Sequence, residues 1–87
     1  MPHPGDNFSL VFIVNGQEMV EAVQPNQPLK AARNHALAAS GNTGRSFDEW
    51  EVRDVDGTLL DANRTITELG LVAGARLFVN IKVGAGG

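Results

Sequence analysis

FSLVFIVNG, residues 8–16, is the stretch that decides the fold of this 87-residue chain. Phe8, Leu10, Phe12 and Val14 alternate along it, and the positions between them are also partly apolar, which predicts a well-buried strand. The Asn15-Gly16 pair ends that strand with a two-residue hairpin signal, because both residues tolerate positive φ. A returning strand is predicted over about residues 17–24, although adjacent apolar residues leave its register open.

The next segment has the pattern of a single helix. Asn26 is a candidate N-cap, Pro28 suits the first turn, and Gly41 is a natural stop. Four apolar residues at helical spacing form a narrow stripe: Leu29, Ala32, Ala36 and Leu37. Residues 42–48 are a polar connection.

Two short strands, one helical turn and a last strand complete the pattern. A third strand is predicted to contain Trp50, Val52 and Val55, with Trp50 mostly buried, and Asp56-Gly57 marks the turn after it. Leu59-Leu60 forms a short fourth strand. Residues 65–68, TITE, have the form of a capping box and predict a helical turn. Residues 75–83 then alternate as a half-buried strand with Leu77, Val79, Ile81 and Val83 on one side.

This order predicts an α+β fold of the β-grasp type. We expect a mixed sheet of four to five strands with one crossover helix, and the first and last strands as its central pair. The predicted organisation is a flexible N-terminal arm (residues 1–7), one domain (8–83) and a flexible glycine-rich tail (84–87). A monomer is expected.

Composition excludes several classes of function. The net charge is −3 and the seven basic residues are scattered, which argues against nucleic-acid binding and against a polybasic membrane anchor. The chain has no cysteine, and residues 1–7 lack the apolar core of a signal peptide. A cytoplasmic location is therefore expected by default.

No side chain is predicted to be catalytic or to bind a metal. His3 and His35 are isolated, so neither a zinc site nor a catalytic pair is indicated. The acidic residues between 49 and 61 are better explained by a solvated strand face and turn than by acid–base chemistry. We therefore expect that the protein is not an enzyme and binds no cofactor.

The tail, Gly84-Ala85-Gly86-Gly87, is the candidate site. Such a tail is often only a frayed end. However, glycine has no Cβ and suits a channel through which a partner enzyme draws a C-terminal carboxylate. The Gly87 carboxylate would be adenylated and passed to a thiol, both supplied by partners.

The sequence resembles the ubiquitin-like family over nearly its whole folded length. The matching stretches are VFIVNG (11–16), EAVQPN (21–26), RTITELGL (64–71), RLFVNIKV (76–83) and the diglycine Gly86-Gly87. The resemblance is closer to small bacterial ubiquitin-like proteins, on VNGQ (14–17), GNTG (41–44), WE (50–51), DGTLLD (56–61) and GARLFVN (74–80).

That resemblance implies a protein modifier with Gly87 as the conjugated residue and Gly84, Ala85 and Gly86 as the part read by an activating enzyme. It also implies an activating enzyme that uses ATP, a conjugating enzyme, a JAB-type metalloprotease that removes the modifier, a target protein, and a role in defence against phage. The sulfur carriers of thiamine and molybdopterin synthesis, which end in a thiocarboxylate, are the alternative. A non-covalent interaction module is a third.

The chain departs from ubiquitin in three places. Glu51, Arg53 and Asp54 occupy the region of ubiquitin's apolar sheet patch, so readers of that patch are not expected to bind. The tail lacks the arginines next to ubiquitin's diglycine. Only two lysines are present, Lys30 and Lys82, which favours single modification over chains.

Overall fold

A computed structural model describes residues 7–82, which form one sheet crossed by one helix. The elements are β1 (Phe8–Val14), β2 (Gln17–Val23), α1 (Leu29–Ala39), a 3₁₀ turn (Phe47–Glu49), β3 (Trp50–Arg53), β4 (Leu59–Leu60) and β5 (Arg76–Ile81). The predicted arm, apart from Asn7, and the predicted tail lie outside the described residues, as does Val83.

The five strands are ordered β2-β1-β5-β3-β4. β1 and β5 run parallel, with Phe12 opposite Leu77 and Val14 opposite Val79, and the other pairs are antiparallel. The mixed sheet and its central pair are therefore as predicted. The connection between the parallel strands contains α1, which packs on one face of the sheet.

The β1–β2 hairpin turns where the sequence predicts it. Asn15 and Gly16 have φ values of 51° and 81°, the left-handed conformations that a two-residue turn requires. Val14 pairs with Gln17, and this register directs Met19, Glu21 and Val23 toward the helix. The turn thus fixes the register that the apolar pattern of β2 left open.

The core lies between α1 and the sheet. Phe12, in the middle of β1, is fully buried. Other core residues come from every large element: Leu10, Val14, Val23, Leu29, Ala32, Ala36, Leu37, Trp50, Val52, Ile66, Leu77 and Val79. The alanines in the predicted helical stripe are small, so the helix axis can lie close to the central strands. Trp50 is buried, as predicted.

The start of α1 differs from the prediction. Pro28, not Asn26, holds the N-cap position, and no side chain caps the helix. Instead, the Leu29 N–H donates to the Arg64 carbonyl and the Lys30 N–H donates to the Ala62 carbonyl, each at 2.9 Å. The segment after β4 therefore satisfies the first donors of the helix, which is a tertiary contact that local sequence does not encode.

β3 is shorter than predicted and is preceded by a turn that the sequence analysis missed. Val55 lies outside the strand and is 66% exposed. The strand ends early because the Asp54 carboxylate accepts hydrogen bonds from the N–H groups of Asp56 and Thr58. Before the strand, Ser46 and Glu49 form a capping box around the 3₁₀ turn.

The predicted capping box before β5 is present in both directions. The Thr65 N–H donates to Glu68 Oε1 at 2.9 Å, and the Glu68 N–H donates to Thr65 Oγ1 at 3.1 Å. Hydrogen bonds from the Thr65 backbone and then its side chain lower the pKa of Glu68 from its ordinary value, and Arg64 adds to the effect. A single turn follows, closed by the bond from the Leu69 N–H to the Thr65 carbonyl.

Truncating the centre of β5 should be costly. Leu77→Ala removes a side chain that is 1% exposed, and we expect unfolding in urea to show a loss of about 2–5 kcal/mol. Phe78→Ala, on the opposite face of the same strand, should cost clearly less. Equal losses from the two variants would contradict the assignment of the two faces.

The capping box should make stability sensitive to acid. Because the folded-state pKa of Glu68 lies below its unfolded value, the stabilisation is complete above about pH 4.3 and is lost as pH falls through the lower folded-state value. Glu68→Gln should therefore be less stable than the natural protein at pH 6, and this difference in stability should be smaller at about pH 3. Urea titrations at both pH values measure it. Glu18→Gln is the control, because within residues 7–82 the Glu18 carboxylate bonds only to Arg76. A constant difference for Glu68→Gln would refute the assignment.

Candidate functional site

The described part of the chain ends at Lys82, one residue after the central strand β5 and two residues before the predicted tail in the sequence. The Lys82 N–H donates to the Glu49 carbonyl at 2.8 Å, so the chain is held by its backbone one residue after the strand. The predicted site residues Gly84, Ala85, Gly86 and Gly87 lie outside the described residues. What the structure describes is therefore the fixed point from which they follow.

One side of this point is lined by the hairpin and the C-terminal end of the helix. Ile81 pairs with Trp50 of β3. A shallow cleft of about 300 Å³ lies beside this pair, bordered by Asn15, Gly41, Asn42, Gly44 and Arg45. Asn15 Nδ2 donates to Asn42 Oδ1 at 3.0 Å, which ties the hairpin to the end of α1.

A larger cleft of about 650 Å³ lies on the other side, between α1 and the β3–β4 edge. It exists because β4 has only two residues, which pair with Val52 and Arg53. Trp50 and Glu51 therefore have no strand partner on the β4 side within residues 7–82. The lining residues are Lys30, Arg33, Asp48, Trp50, Glu51, Val52, Leu59, Leu60, Asp61, Ala62, Asn63 and Lys82.

Arg33 covers the unpaired edge of β3 from the helix. Successive carbonyls of a strand point to opposite edges, and the Glu49 carbonyl faces Lys82 on the β5 side, so the Trp50 carbonyl faces the cleft. Arg33 Nη1 donates to that carbonyl at 3.2 Å. The guanidinium therefore forms a hydrogen bond to the backbone carbonyl with which a further strand would otherwise pair.

The position of Arg33 is unusual for a cation. The residue is 3% exposed, and burial lowers its pKa while the charge and hydrogen bonding of Asp48 oppose that shift. Arg33 Nη2 lies 3.6 Å from Asp48 Oδ1. The sequence analysis missed this residue, although its spacing between Leu29 and Leu37 places it on the apolar side of α1 and is the signal that could have found it.

The two lysines differ from the five arginines in their surroundings. Within residues 7–82 every arginine forms an ion pair with a carboxylate, whereas neither Lys30 nor Lys82 does. Both lysines are exposed and both line the larger cleft. The cleft therefore holds the uncompensated positive charge of this part of the chain.

The described residues hold no constellation for side-chain chemistry. Between residues 7 and 82, no group of three or more His, Cys, Asp or Glu side chains could hold a metal. His35 contacts the buried carboxylate of Glu21 on β2 and lies on the outside of α1. No helix in this region is long and apolar enough to cross a membrane.

The outer face of the sheet carries the departure from ubiquitin that the sequence predicted. Glu51 and Arg53 lie on that face of β3 and form an ion pair. Exposed apolar side chains are found instead on neighbouring strands, with Val20 of β2 67% exposed and Phe78 of β5 36% exposed. Arg76 Nη1 and Glu18 Oε1 lie 3.4 Å apart on the same face.

Comparison with protein families gives a match over almost the whole sequence. The model of the family described as "Protein of Unknown function (DUF2604)" matches residues 3–87. The uncharacterized protein y4jI of Sinorhizobium fredii is 37% identical over 84 residues, which is 97% of this chain. The chain spans 64% of the length of that relative.

Comparison with solved structures shows the fold. The ubiquitin of Caldiarchaeum subterraneum superposes with a TM-score of 0.74 at 19% identity, covering 94% of this chain and 100% of that one. A de novo design based on ubiquitin superposes with a TM-score of 0.78 at 16% identity, covering 98% and 99% of the two chains. The predicted ubiquitin-like β-grasp fold is confirmed.

Removing the guanidinium of Arg33 should destabilise the protein. Arg33→Met keeps an apolar stem but leaves the Trp50 carbonyl without its donor, and we expect a loss of about 1–3 kcal/mol in urea unfolding. Arg45→Met is the control, because it removes an exposed pair with Glu49 and should cost about 0.5 kcal/mol or less. Similar small losses for both variants would show that the Trp50 carbonyl is satisfied in another way.

Proposed function

We propose that this chain, which belongs to the DUF2604 family of proteins of unknown function, is a ubiquitin-like modifier that is joined through Gly87 to target proteins. One observation carries the proposal. β5 lies between β1 and β3, and its end is held by the bond from the Lys82 N–H to the Glu49 carbonyl. The residues after it therefore follow from a fixed point on the domain. An enzyme that binds the domain can use this fixed point to position a short tail for reaction.

The proposed chemistry takes place on the Gly87 carboxylate and uses partner enzymes. The carboxylate attacks the α-phosphate of ATP, forming an acyl-adenylate and releasing pyrophosphate. A partner thiolate then displaces AMP to give a thioester. An amine of the target displaces that thiol to give an amide. ATP is consumed by the activating enzyme, and no cofactor is assigned to this chain.

In this proposal the residues before the conjugated glycine make the tail long and free of bulky side chains: Gly84, Ala85 and Gly86. Glycine and alanine present little or no side chain, so they can pass through a narrow channel in the activating enzyme. The proposal needs a free carboxylate on Gly87, whether that residue is the last one made or is exposed by cleavage. Conjugating and JAB-type deconjugating enzymes complete the proposed cytoplasmic cycle, with phage defence as its setting.

The described side chains support a role as a modifier better than a role as an enzyme. Between residues 7 and 82 many titratable groups form ion pairs, capping boxes and turns. The three carboxylates that line the larger cleft are each paired with an arginine, which does not favour acid–base work. A sulfur carrier would use the same adenylation but would exchange an oxygen of the carboxylate for sulfur. The ubiquitin-like turn at residues 65–71 favours the modifier.

The positions of the lysines support single modification. Lys30 and Lys82 line the same cleft, which is about 650 Å³ in volume. The sequence contains no other lysine, so lysine-linked chains would have only these two attachment points, both on one surface. We therefore propose that the protein is attached to targets as one unit and does not build lysine-linked chains.

Intact mass spectrometry tests this function. The protein is incubated with ATP and with the activating-enzyme and conjugating-enzyme homologues that the proposal requires. We expect a thioester that is released by reducing agent and an amide-linked adduct that is not. A gain of sulfur for oxygen would instead identify a sulfur carrier.

Two tail variants sharpen the test. Deleting Gly86-Gly87 should abolish every adduct, because the attacking carboxylate is moved back to Ala85. Ala85→Gly keeps both the length and the slimness of the tail and should react like the natural sequence. Activity in cells that is unchanged by the deletion, together with no adduct from the natural protein, would overturn the proposal in favour of a non-covalent interaction module.

A further inference from the structure

The cleft between α1 and the β3–β4 edge has features of a binding surface that the tail chemistry does not use. Its volume of about 650 Å³ is in the range of sites that accept a small ligand or a few side chains. Trp50 and Val52, both buried core residues, form part of its wall, and Leu60 is half-buried beside them. Polar and charged residues form the rim. We name this the lysine cleft.

The unpaired charge in the lysine cleft is positive. Its three acidic residues are each compensated: Asp48 pairs with Arg33, Glu51 with Arg53, and Asp61 with Arg64. Lys30 and Lys82 are the described cations with no carboxylate partner inside residues 7–82. Both are exposed, so their ammonium groups are available to a ligand at little cost in desolvation.

Trp50 supplies a second observation. Its indole Nε1 is buried and has no hydrogen-bond acceptor among the described residues. A buried donor without a partner is uncommon in folded proteins and is costly to leave unpaired. Trp50 lines both the lysine cleft and the smaller cleft beside Ile81, so an acceptor oxygen brought to the lysine cleft is close to a residue that lacks one.

We propose that the lysine cleft binds an acidic segment of a partner protein, with its carboxylates on Lys30 and Lys82 and an apolar side chain against Trp50 and Leu60. Charge complementarity identifies the class of partner. The whole chain carries a net charge of −3, so a long polyanion such as nucleic acid is repelled beyond the two lysines. A short acidic peptide can place its charges on the lysines and avoid the rest.

The position of this surface suggests the type of partner it serves. Lys82 is held by its backbone at the end of β5, two residues before Gly84 in the sequence. A protein whose acidic segment lies in the lysine cleft is therefore next to the point at which the described residues end. The binding itself uses neither ATP nor Gly87, so its test is independent of the function proposed above.

Nuclear magnetic resonance on the full chain tests the proposal, with hexaglutamate as the probe. We expect the Trp50 indole resonance and the backbone amides of Lys30 and Lys82 to shift together, with an affinity that falls as salt is added. Hexalysine and a thymidine oligonucleotide of equal length are the comparison ligands. No shift at the cleft with hexaglutamate, or equal binding of the oligonucleotide, would overturn the proposal.

Charge-matched variants locate the binding. Lys30→Gln and Lys82→Gln should each weaken hexaglutamate binding about three- to fivefold, in line with exposed charge pairs. Together they should weaken it at least tenfold. Arg76→Gln lowers the net charge by the same one unit on the outer sheet face and should leave the affinity unchanged. Because Lys30, Lys82 and Arg76 are all exposed, the variants should fold, and thermal unfolding checks this. An equal loss with Arg76→Gln would mean that only overall charge is being sensed.

Discussion

The parallel pairing of β1 with β5 is the constraint on which the rest of the structure depends. Phe12 faces Leu77 and Val14 faces Val79 across this pair, and all four side chains point into the core. Parallel neighbours need a crossover connection, and here that connection contains α1 and the β3–β4 strands. Because β5 is central, its other edge pairs with β3, so further strands flank the β1–β5 pair on both sides.

The same arrangement explains why the clefts lie where they do. β2 fully covers one side of the central pair, since seven residues of β1 pair with it, whereas β4 offers only two residues to β3. The sheet is therefore complete at one edge and open at the other. Arg33 closes that opening from α1 by donating to the Trp50 carbonyl, and the space left around it becomes the lysine cleft.

Features governed by neighbouring residues could be predicted from the sequence. Alternating apolar residues predicted the core positions of β1 and β5. The Asn15-Gly16 pair predicted the hairpin, and residues 65–68 predicted the capping box. The failures share a cause. The donors at the start of α1 are satisfied from Ala62 and Arg64. Arg33 donates to the Trp50 carbonyl, which the short β4 leaves unpaired, so both features depend on contacts between distant segments. For the site, the proposed chemistry of the tail rests on the sequence, whereas the lysine cleft could be found only from the fold.

The central place of β5 also has a consequence for synthesis. The ribosome synthesises the chain from the N-terminus, so the β1–β2 hairpin and α1 leave the exit tunnel before residues 76–81 do. Until then one edge of β1 is unpaired, and its core-facing side chains lack their neighbours Leu77 and Val79. Domains generally fold as units as synthesis proceeds. This one therefore completes its core only after β5 has emerged, and the inner face of β1 stays partly uncovered until then.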